Sequence, residues 1–350
     1  MHTIEINGRK IGAGEPPYIV AELSANHNGK IEQAFKIIAA AKAAGADAVK
    51  LQTYTADTIT IDSDTPHFKI EGGLWDGRTL YELYQEASTP WEWHEALFEK
   101  GREQGLAVFS APFDATAVDF LEGIGAPAYK IASFEMIDLP LIERVAATGK
   151  PMIMSTGMAG LGEIAEAVAT ARNAGATELL LLHCISGYPT PAEECNLATI
   201  PHLADAFDCA VGLSDHTLGT AVSVAAVAHG ACLIEKHVTL DRADGGPDAA
   251  FSLEPRELET LVADTWTGWM AAGSVNYTAT ASESGNRKFR RSLFVVADIA
   301  AGEEITSANV RSIRPGYGLA PKHLPKVLGQ RAARALKRGT PLDWSALESA

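Results

Sequence analysis

No apolar run in the 350-residue chain reaches the roughly 18 residues that a membrane-spanning helix requires, so the sequence offers no bilayer segment. The stretch Met1-His2-Thr3-Ile4-Glu5-Ile6-Asn7 lacks the basic start and apolar centre of a secretory signal, and the expectation is a cytoplasmic protein. Cysteine is scarce. Cys184, Cys195, Cys209 and Cys232 show no C-x-x-C spacing, and two of them begin or end apolar runs; this points to buried thiols in a reducing compartment rather than disulfides or a zinc site. Positive charge is also short, since 29 Lys and Arg face 44 Asp and Glu. A net charge of −15 argues against nonspecific nucleic-acid binding.

What is present is a long α/β pattern with an ordinary hydrophobic content of 47%. Apolar runs at 18–23, 48–53, 107–110, 128–131, 152–155, 179–184, 211–214 and 232–237 read as strands. Helical periodicity occupies 31–44, 91–104, 116–122, 139–147, 162–174, 220–229 and 255–271, and most of these segments are followed closely by glycine. Eight such units in about 270 residues predict a (β/α)8 TIM barrel. A doubly wound open sheet is the alternative, but no G-x-G-x-x-G follows the first strand, and polar residues recur at the C-terminal ends of the strands instead.

The barrel is expected over 1–272 and a linker over 273–290, where periodicity gives way to Ser, Thr, Asn and charge. A small domain follows over 291–350, with short strands and turns at 293–296, 302–306 and 336–340. Residues 287–350 hold 12 Lys and Arg against 5 Asp and Glu, so this tail carries +7 and the rest of the chain −22. A basic tail with apolar runs suits a domain that docks on an acidic body better than a nucleic-acid arm.

Two histidines close the last two strand candidates, His216 in Gly212-Leu213-Ser214-Asp215-His216-Thr217 and His237 in Glu235-Lys236-His237-Val238-Thr239. Imidazole is a common ligand for divalent metals, and a pair leaves positions free for water and substrate; backbone-bonded strand-end histidines are the plain alternative. The other strand ends offer Glu22, Lys50, Gln52, Ser110, Phe113, Lys130, Ser133, Glu135, Ser155, His183, Ser186, Tyr188, Ser214, Asp215 and Glu235, with Asp248 beyond. Lys50 and Lys130 are costly to bury unpartnered. A phosphate would supply charge and acceptors to them and to Ser133, Ser155 and Ser214; salt bridges to Glu22 or Glu135 would answer for the lysines but not for the hydroxyls.

The segments Ala21-Glu22-Leu23-Ser24-Ala25-Asn26-His27-Asn28-Gly29, Val49-Lys50-Leu51-Gln52-Thr53, Tyr129-Lys130-Ile131-Ala132-Ser133-Phe134-Glu135, Met154-Ser155-Thr156-Gly157-Met158, Gly246-Pro247-Asp248 and the two histidine motifs resemble those of the sialic acid synthase family. The resemblance spans the chain. The last 60 residues, with Arg314-Pro315-Gly316-Tyr317-Gly318, are similar to the family's antifreeze-like (SAF) β-clip domain. It implies condensation of phosphoenolpyruvate with an acylamino sugar aldehyde to a nine-carbon 2-keto acid, with release of phosphate. It further implies that His216 and His237 bind a divalent metal ion (Mn2+, Mg2+ or Co2+) and that Lys50, Lys130, Ser133, Ser155 and Ser214 hold phosphoenolpyruvate. Glu22 would act as acid and base. Gln52, Phe113, Glu135, Ser186, Tyr188 and Asp248 would face the sugar, joined by Arg314 in trans within a homodimer whose C-terminal domain caps the partner's barrel.

Two departures bear on the sugar. Phe134 stands between Ser133 and Glu135 where typical sialic acid synthases have glycine, and Ser186 stands two residues before Tyr188 where they have Asn. Phe134 and the segment Leu23-Ser24-Ala25-Asn26-His27-Asn28 look more like the pseudaminic acid synthase branch, whose substrate is 2,4-diacetamido-2,4,6-trideoxy-L-altrose; Phe134 could equally pack inside the barrel. An apolar side chain and one fewer amide suit a less polar sugar, because an unpaired amide costs about 1–3 kcal/mol. Manno-configured substrates, as in N-acetylneuraminate or legionaminic acid synthesis, are the alternative. A metal-dependent aldolase would share the histidines without needing the lysines and serines. An ice- or carbohydrate-binding module on a structural barrel is disfavoured by the basic C-terminal domain.

Overall fold

The computed structural model describes residues 2–348, in two compact units that meet between Gly273 and Ser274. In the first, β1 (Thr3–Ile6) and β2 (Arg9–Gly12) form an antiparallel hairpin. Eight parallel strands follow: β3 (Tyr18–Glu22), β4 (Ala48–Thr53), β5 (Ala107–Pro112), β6 (Tyr129–Ile131), β7 (Met152–Ser155), β8 (Leu179–Cys184), β9 (Ala210–Asp215) and β10 (Leu233–His237). They close in sequence order, with β10 pairing back onto β3. All eight expected strands are therefore present, in a closed barrel rather than an open sheet. Besides the expected helices, Leu80–Ala87 and Thr199–Phe207 appear; the sequence reading missed both.

Side chains on a strand alternate between its faces, and here the alternation separates two cores. Ile19, Ala21 and Leu23, like Val49, Leu51, Met152 and Met154, point outward into the layer between barrel and helices. Tyr18, Val20, Ala48, Phe109, Ala128, Ile153, Leu180, Leu182 and Leu233 fill the interior. Ile4, Ile6 and Ile11 of the hairpin belong to that interior cluster and are at most 1% exposed, so the hairpin plugs the N-terminal end of the barrel. Its turn, Asn7-Gly8, has positive φ at both residues (50° and 82°), the geometry that suits a two-residue hairpin. The inward positions nearest the C-terminal ends are polar instead, among them Glu22, Lys50, Lys130, Ser155, Ser214 and Glu235. This is the end at which barrels of this type build their sites.

The second unit is built on β11 (Ser292–Val295) paired antiparallel with β12 (Val310–Ile313), around Leu293, Val295, Ile305, Val327, Leu336 and Leu342. Residues 302–306 and 336–340 form no regular strands, contrary to expectation. They contribute single bridges, Glu304 to Arg331 and Ile299 to Leu336, because the backbone turns at Gly302 (φ 74°) and Gly339 (φ 91°). Within 273–290, Ala281–Ser284 and Gly285–Phe289 form short helical turns. Among the described residues, no helix is long and apolar enough to cross a membrane.

Candidate active site

Strand register sets the site. Glu22 lies beside Lys50 on one side and His237 on the other, and Ser214 lies beside Glu235. Charge alternates across the interior: Lys50 Nζ is 2.5 Å from Glu22 and 3.7 Å from Glu235, and Lys130 Nζ donates to both Glu235 oxygens at 3.0 and 3.2 Å. Ser214 Oγ donates to Glu235 as well, at 3.2 Å. All four ionic side chains are at most 5% exposed. Burying each such ion costs several kcal/mol, and only close pairing offsets it. The lysines are thus neutralised within the protein: Lys50 meets Glu22, one of the two glutamates the salt-bridge alternative offered, whereas Lys130 pairs with Glu235 rather than with Glu22 or Glu135. The hydroxyls keep their significance, since Ser155 Oγ at the end of β7 is buried without a hydrogen-bond partner.

Protonation follows from this packing. Burial raises the Glu22 carboxyl to about 7 even though Lys50 opposes the shift. Burial also pushes Glu235 up, but Lys130 and Lys50 outweigh it and hold the carboxyl below the usual range. Lys130 is lowered by burial, against the pull of Glu235. One carboxylate of the layer is thereby poised near neutrality while the other stays ionised, which is the separation that acid and base work demands.

His216 and His237 stand above this layer with ring centroids 5.4 Å apart. His216 Nδ1 donates to the Ile185 carbonyl at 2.9 Å, which leaves Nε2 as an unprotonated lone pair. His237 Nδ1 is buried with no hydrogen-bond partner and lies 3.8 Å from Asp248. Burial lowers His216 to about 4, and burial together with the neighbouring His216 and lysines holds His237 well below its ordinary value, so both rings are neutral. Neutral imidazoles with free nitrogens are what a divalent cation requires, and the pair fits one. Among the described residues no cluster of three or more His, Cys, Asp or Glu forms a metal cage. Tyr188 packs on His216 with centroids 4.5 Å apart, and Phe251 on His237 at 4.9 Å.

A cavity of about 510 Å³ opens beside His237. Gln52, Phe113, Glu135, Tyr188 and Asp248, assigned to the sugar, line it together with Phe134, His237 and Ser133, the last assigned to phosphoenolpyruvate; Ser186 is not among the lining residues. Phe134 is 58% exposed, so it does not pack in the barrel interior. Gln52 Nε2 donates to Glu22 at 3.2 Å and to Ser24 at 3.0 Å, while the Ser24 hydroxyl donates to Asp248. Ser133 and Ser186 hydroxyls meet at 2.9 Å, and Gly157 makes room for them: a Cβ there would lie 2.3 Å from Ser133 Cβ. Burial raises Glu135 to about 7. Glu22, Lys50, Lys130, Ser155 and Ser214 lie beneath the cavity, and Lys50 is one inward position deeper than Gln52 on β4. Arg314 belongs to the second unit. His183 faces away and contacts the Cys195 carbonyl.

The sequence reading missed a wall of this cavity. Tyr54, Ile59, Ile70, Trp75, Leu80, Leu83 and Tyr84 come from the connection after β4, tied to the loop after β10 by Trp75 Nε1 donating to the Pro247 carbonyl at 3.1 Å. A connection this long and this aromatic was the available signal, because long loops in compact domains usually carry function.

The chain matches the NeuB family over residues 37–277 and the SAF domain over 290–348. It is 43% identical over 335 residues to a pseudaminic acid synthase of Helicobacter pylori, covering 95% of this chain and 98% of that protein. A pseudaminic acid synthase of Campylobacter jejuni is 44% identical, with 93% and 95% covered. The crystal structure of N-acetylneuraminic acid synthetase from Leptospira borgpetersenii, in complex with citrate, superposes with a TM-score of 0.73 at 31% identity, covering 81% of this chain and 94% of that one. The barrel and the domain that follows it are thus those of a recognised lineage, and the chain belongs to the NeuB family.

Proposed function

We propose that this chain is a pseudaminic acid synthase. Carbon 3 of phosphoenolpyruvate attacks the aldehyde of 2,4-diacetamido-2,4,6-trideoxy-L-altrose, water adds at carbon 2, and the tetrahedral adduct expels phosphate by C–O cleavage. The product is a nine-carbon 2-keto sugar acid. The observation that carries this reading is the 43–44% identity to pseudaminic acid synthases over nearly the whole of each chain.

The chemistry of the residues supports it. Lys50, Lys130, Ser133, Ser155 and Ser214 are assigned to phosphoenolpyruvate: the unpartnered Ser155 hydroxyl can donate to a phosphate or carboxylate oxygen, and the lysines retain N–H groups beyond those paired with glutamate. Glu22, with its carboxyl near neutrality, can give and take the proton that moves between the aldehyde oxygen and the added water. A divalent ion (Mn2+, Mg2+ or Co2+) held by His216 and His237 would act as a Lewis acid toward the aldehyde. Gln52, Glu135, Ser186 and Asp248 are assigned to the sugar's polar groups. Phe113, Phe134 and Tyr188, with the apolar wall after β4, suit its methyl groups. The resemblance further assigns Arg314 of a second copy to the acylamino group, in a cytoplasmic homodimer.

Phosphate release from phosphoenolpyruvate tests the reading, with the diacetamido altrose, the diacetamido mannose and N-acetylmannosamine as acceptors. The altrose should give the highest kcat/KM. Preference for a manno sugar would move the chain to another branch of the family, and an aldol product without phosphate release would make it an aldolase.

A further inference from the structure

We infer that Asp215 and Lys236, buried behind the histidines on the outer faces of β9 and β10, are positioning residues that set the geometry of the His216–His237 pair. Each immediately precedes one of the histidines, and the two are register partners across the sheet. Lys236 Nζ lies 2.9 Å from Asp215 Oδ2, and both side chains are 1% exposed. Both head groups have further partners. Lys236 Nζ donates to the Thr217 carbonyl at 2.6 Å, Ser223 Oγ donates to Asp215 Oδ2 at 2.5 Å, and the Thr217 amide donates to Asp215 Oδ1 at 2.8 Å.

A buried ion pair is weak evidence for stability, because a well-packed apolar pair of similar volume serves as well or better. Its effect here is directional. Lys236 grips the Thr217 carbonyl and Asp215 the Thr217 amide, so the turn carrying His216 is clamped from both sides to the strand carrying His237. The histidines alternate inward as their neighbours point outward, and any slip of this clamp changes their separation. The inference rests on the reading of His216 and His237 as metal ligands; Asp215 and Lys236 act on them through the Thr217 backbone, and loss of the nearer partners that hydrogen-bond a ligand directly typically changes metal affinity 10–100-fold.

The test is the full-length double variant Asp215→Asn/Lys236→Met, which removes both charges together and leaves neither buried alone. Cobalt(II) is titrated into chelator-treated protein and followed by its visible absorption, without substrates, alongside thermal melting and phosphoenolpyruvate binding. The expected result is a folded protein that binds cobalt about 10–100-fold more weakly, with phosphoenolpyruvate affinity near the parent's. Parental cobalt affinity in the variant overturns the inference, as does an equal loss of phosphoenolpyruvate affinity, which would mean general loosening of the barrel. Should the double variant not fold, Ser223→Ala removes one hydrogen bond and keeps the ion pair. It should weaken cobalt binding about threefold, on the order of one neutral hydrogen bond, and parental affinity there overturns the inference too. A parent that binds no cobalt takes down the metal reading and this inference with it, whereas a parent that binds and variants that bind equally well overturn this inference alone.

Discussion

Glu235 holds the Lys130 ammonium with both of its carboxylate oxygens, at 3.0 and 3.2 Å, 105 residues away along the chain and out of reach of solvent. The pair joins β6 to β10 across the barrel and leaves two cations balanced by two anions. Glu235→Gln should therefore unbalance the layer and destabilise the fold by about 3–5 kcal/mol, the usual cost of stranding a buried charge. Urea unfolding at neutral pH measures it; a loss under about 1 kcal/mol would show that the lysines do not depend on this carboxylate.

Glu22→Gln keeps the shape of the side chain and an oxygen for the Gln52 amide, but cannot exchange a proton. Turnover should fall by about 100- to 10,000-fold, with KM for phosphoenolpyruvate changing little. A phosphate-release assay decides it, and a kcat within tenfold of the parent would remove Glu22 from acid and base work.

Glu135 gives a pH signature. Burial raises its carboxyl to about 7, above the ordinary 4.5, so between these values the folded protein holds a proton that the unfolded chain has released. Stability is thus unpenalised at and below about pH 4.5 and falls as pH rises to about 7. The loss is about 1–2 kcal/mol once partial contact with water is allowed for. Glu135→Gln should flatten that slope in urea melts from pH 5 to 7, and parallel slopes in parent and variant would contradict the assignment.

Chelation should stop turnover, and Mn2+ should restore it. His216→Ala should abolish activity in every added metal while phosphoenolpyruvate binding, measured by calorimetry, largely survives. A near-parental rate in chelated buffer would end the metal reading.

Phe134 is more than half exposed, so Phe134→Ala should shift the unfolding midpoint little, within about 0.5 kcal/mol. Its effect should fall on the sugar: a KM for the altrose raised about tenfold, the loss of roughly one apolar contact's worth of binding, with KM for phosphoenolpyruvate unchanged. Equal effects on both substrates would place it outside the sugar's reach.

The barrel and most of its polar layer could be read from the sequence because both are periodic. Tyr18, Val20 and Glu22 share a parity, and the change from apolar to charged along that parity marks the open end of the barrel. The hairpin was readable too: Asn7-Gly8 between Ile4, Ile6 and Ile11 is a strong short-range signal, but the segment was considered only as a possible leader. The helix Thr199–Phe207 was hidden by Pro201, which a first turn tolerates. Which glutamate would meet Lys130 could not be read at all. Glu235 and Glu135 both sit at strand ends, and the choice between them depends on barrel closure, which no local pattern encodes. The apolar wall after β4 comes from a connection whose course is fixed by contacts such as Trp75 to Pro247 rather than by its own periodicity.

The plug formed by Ile4, Ile6 and Ile11 closes the N-terminal end of the barrel among the described residues and leaves the C-terminal mouth as the doorway. If phosphoenolpyruvate occupies the deeper tier as proposed, it would enter before the sugar above it, and free phosphate would leave after the sugar acid. Traffic through the mouth would then be a queue with a fixed order, and a sugar arriving first at saturating concentration would inhibit its own reaction.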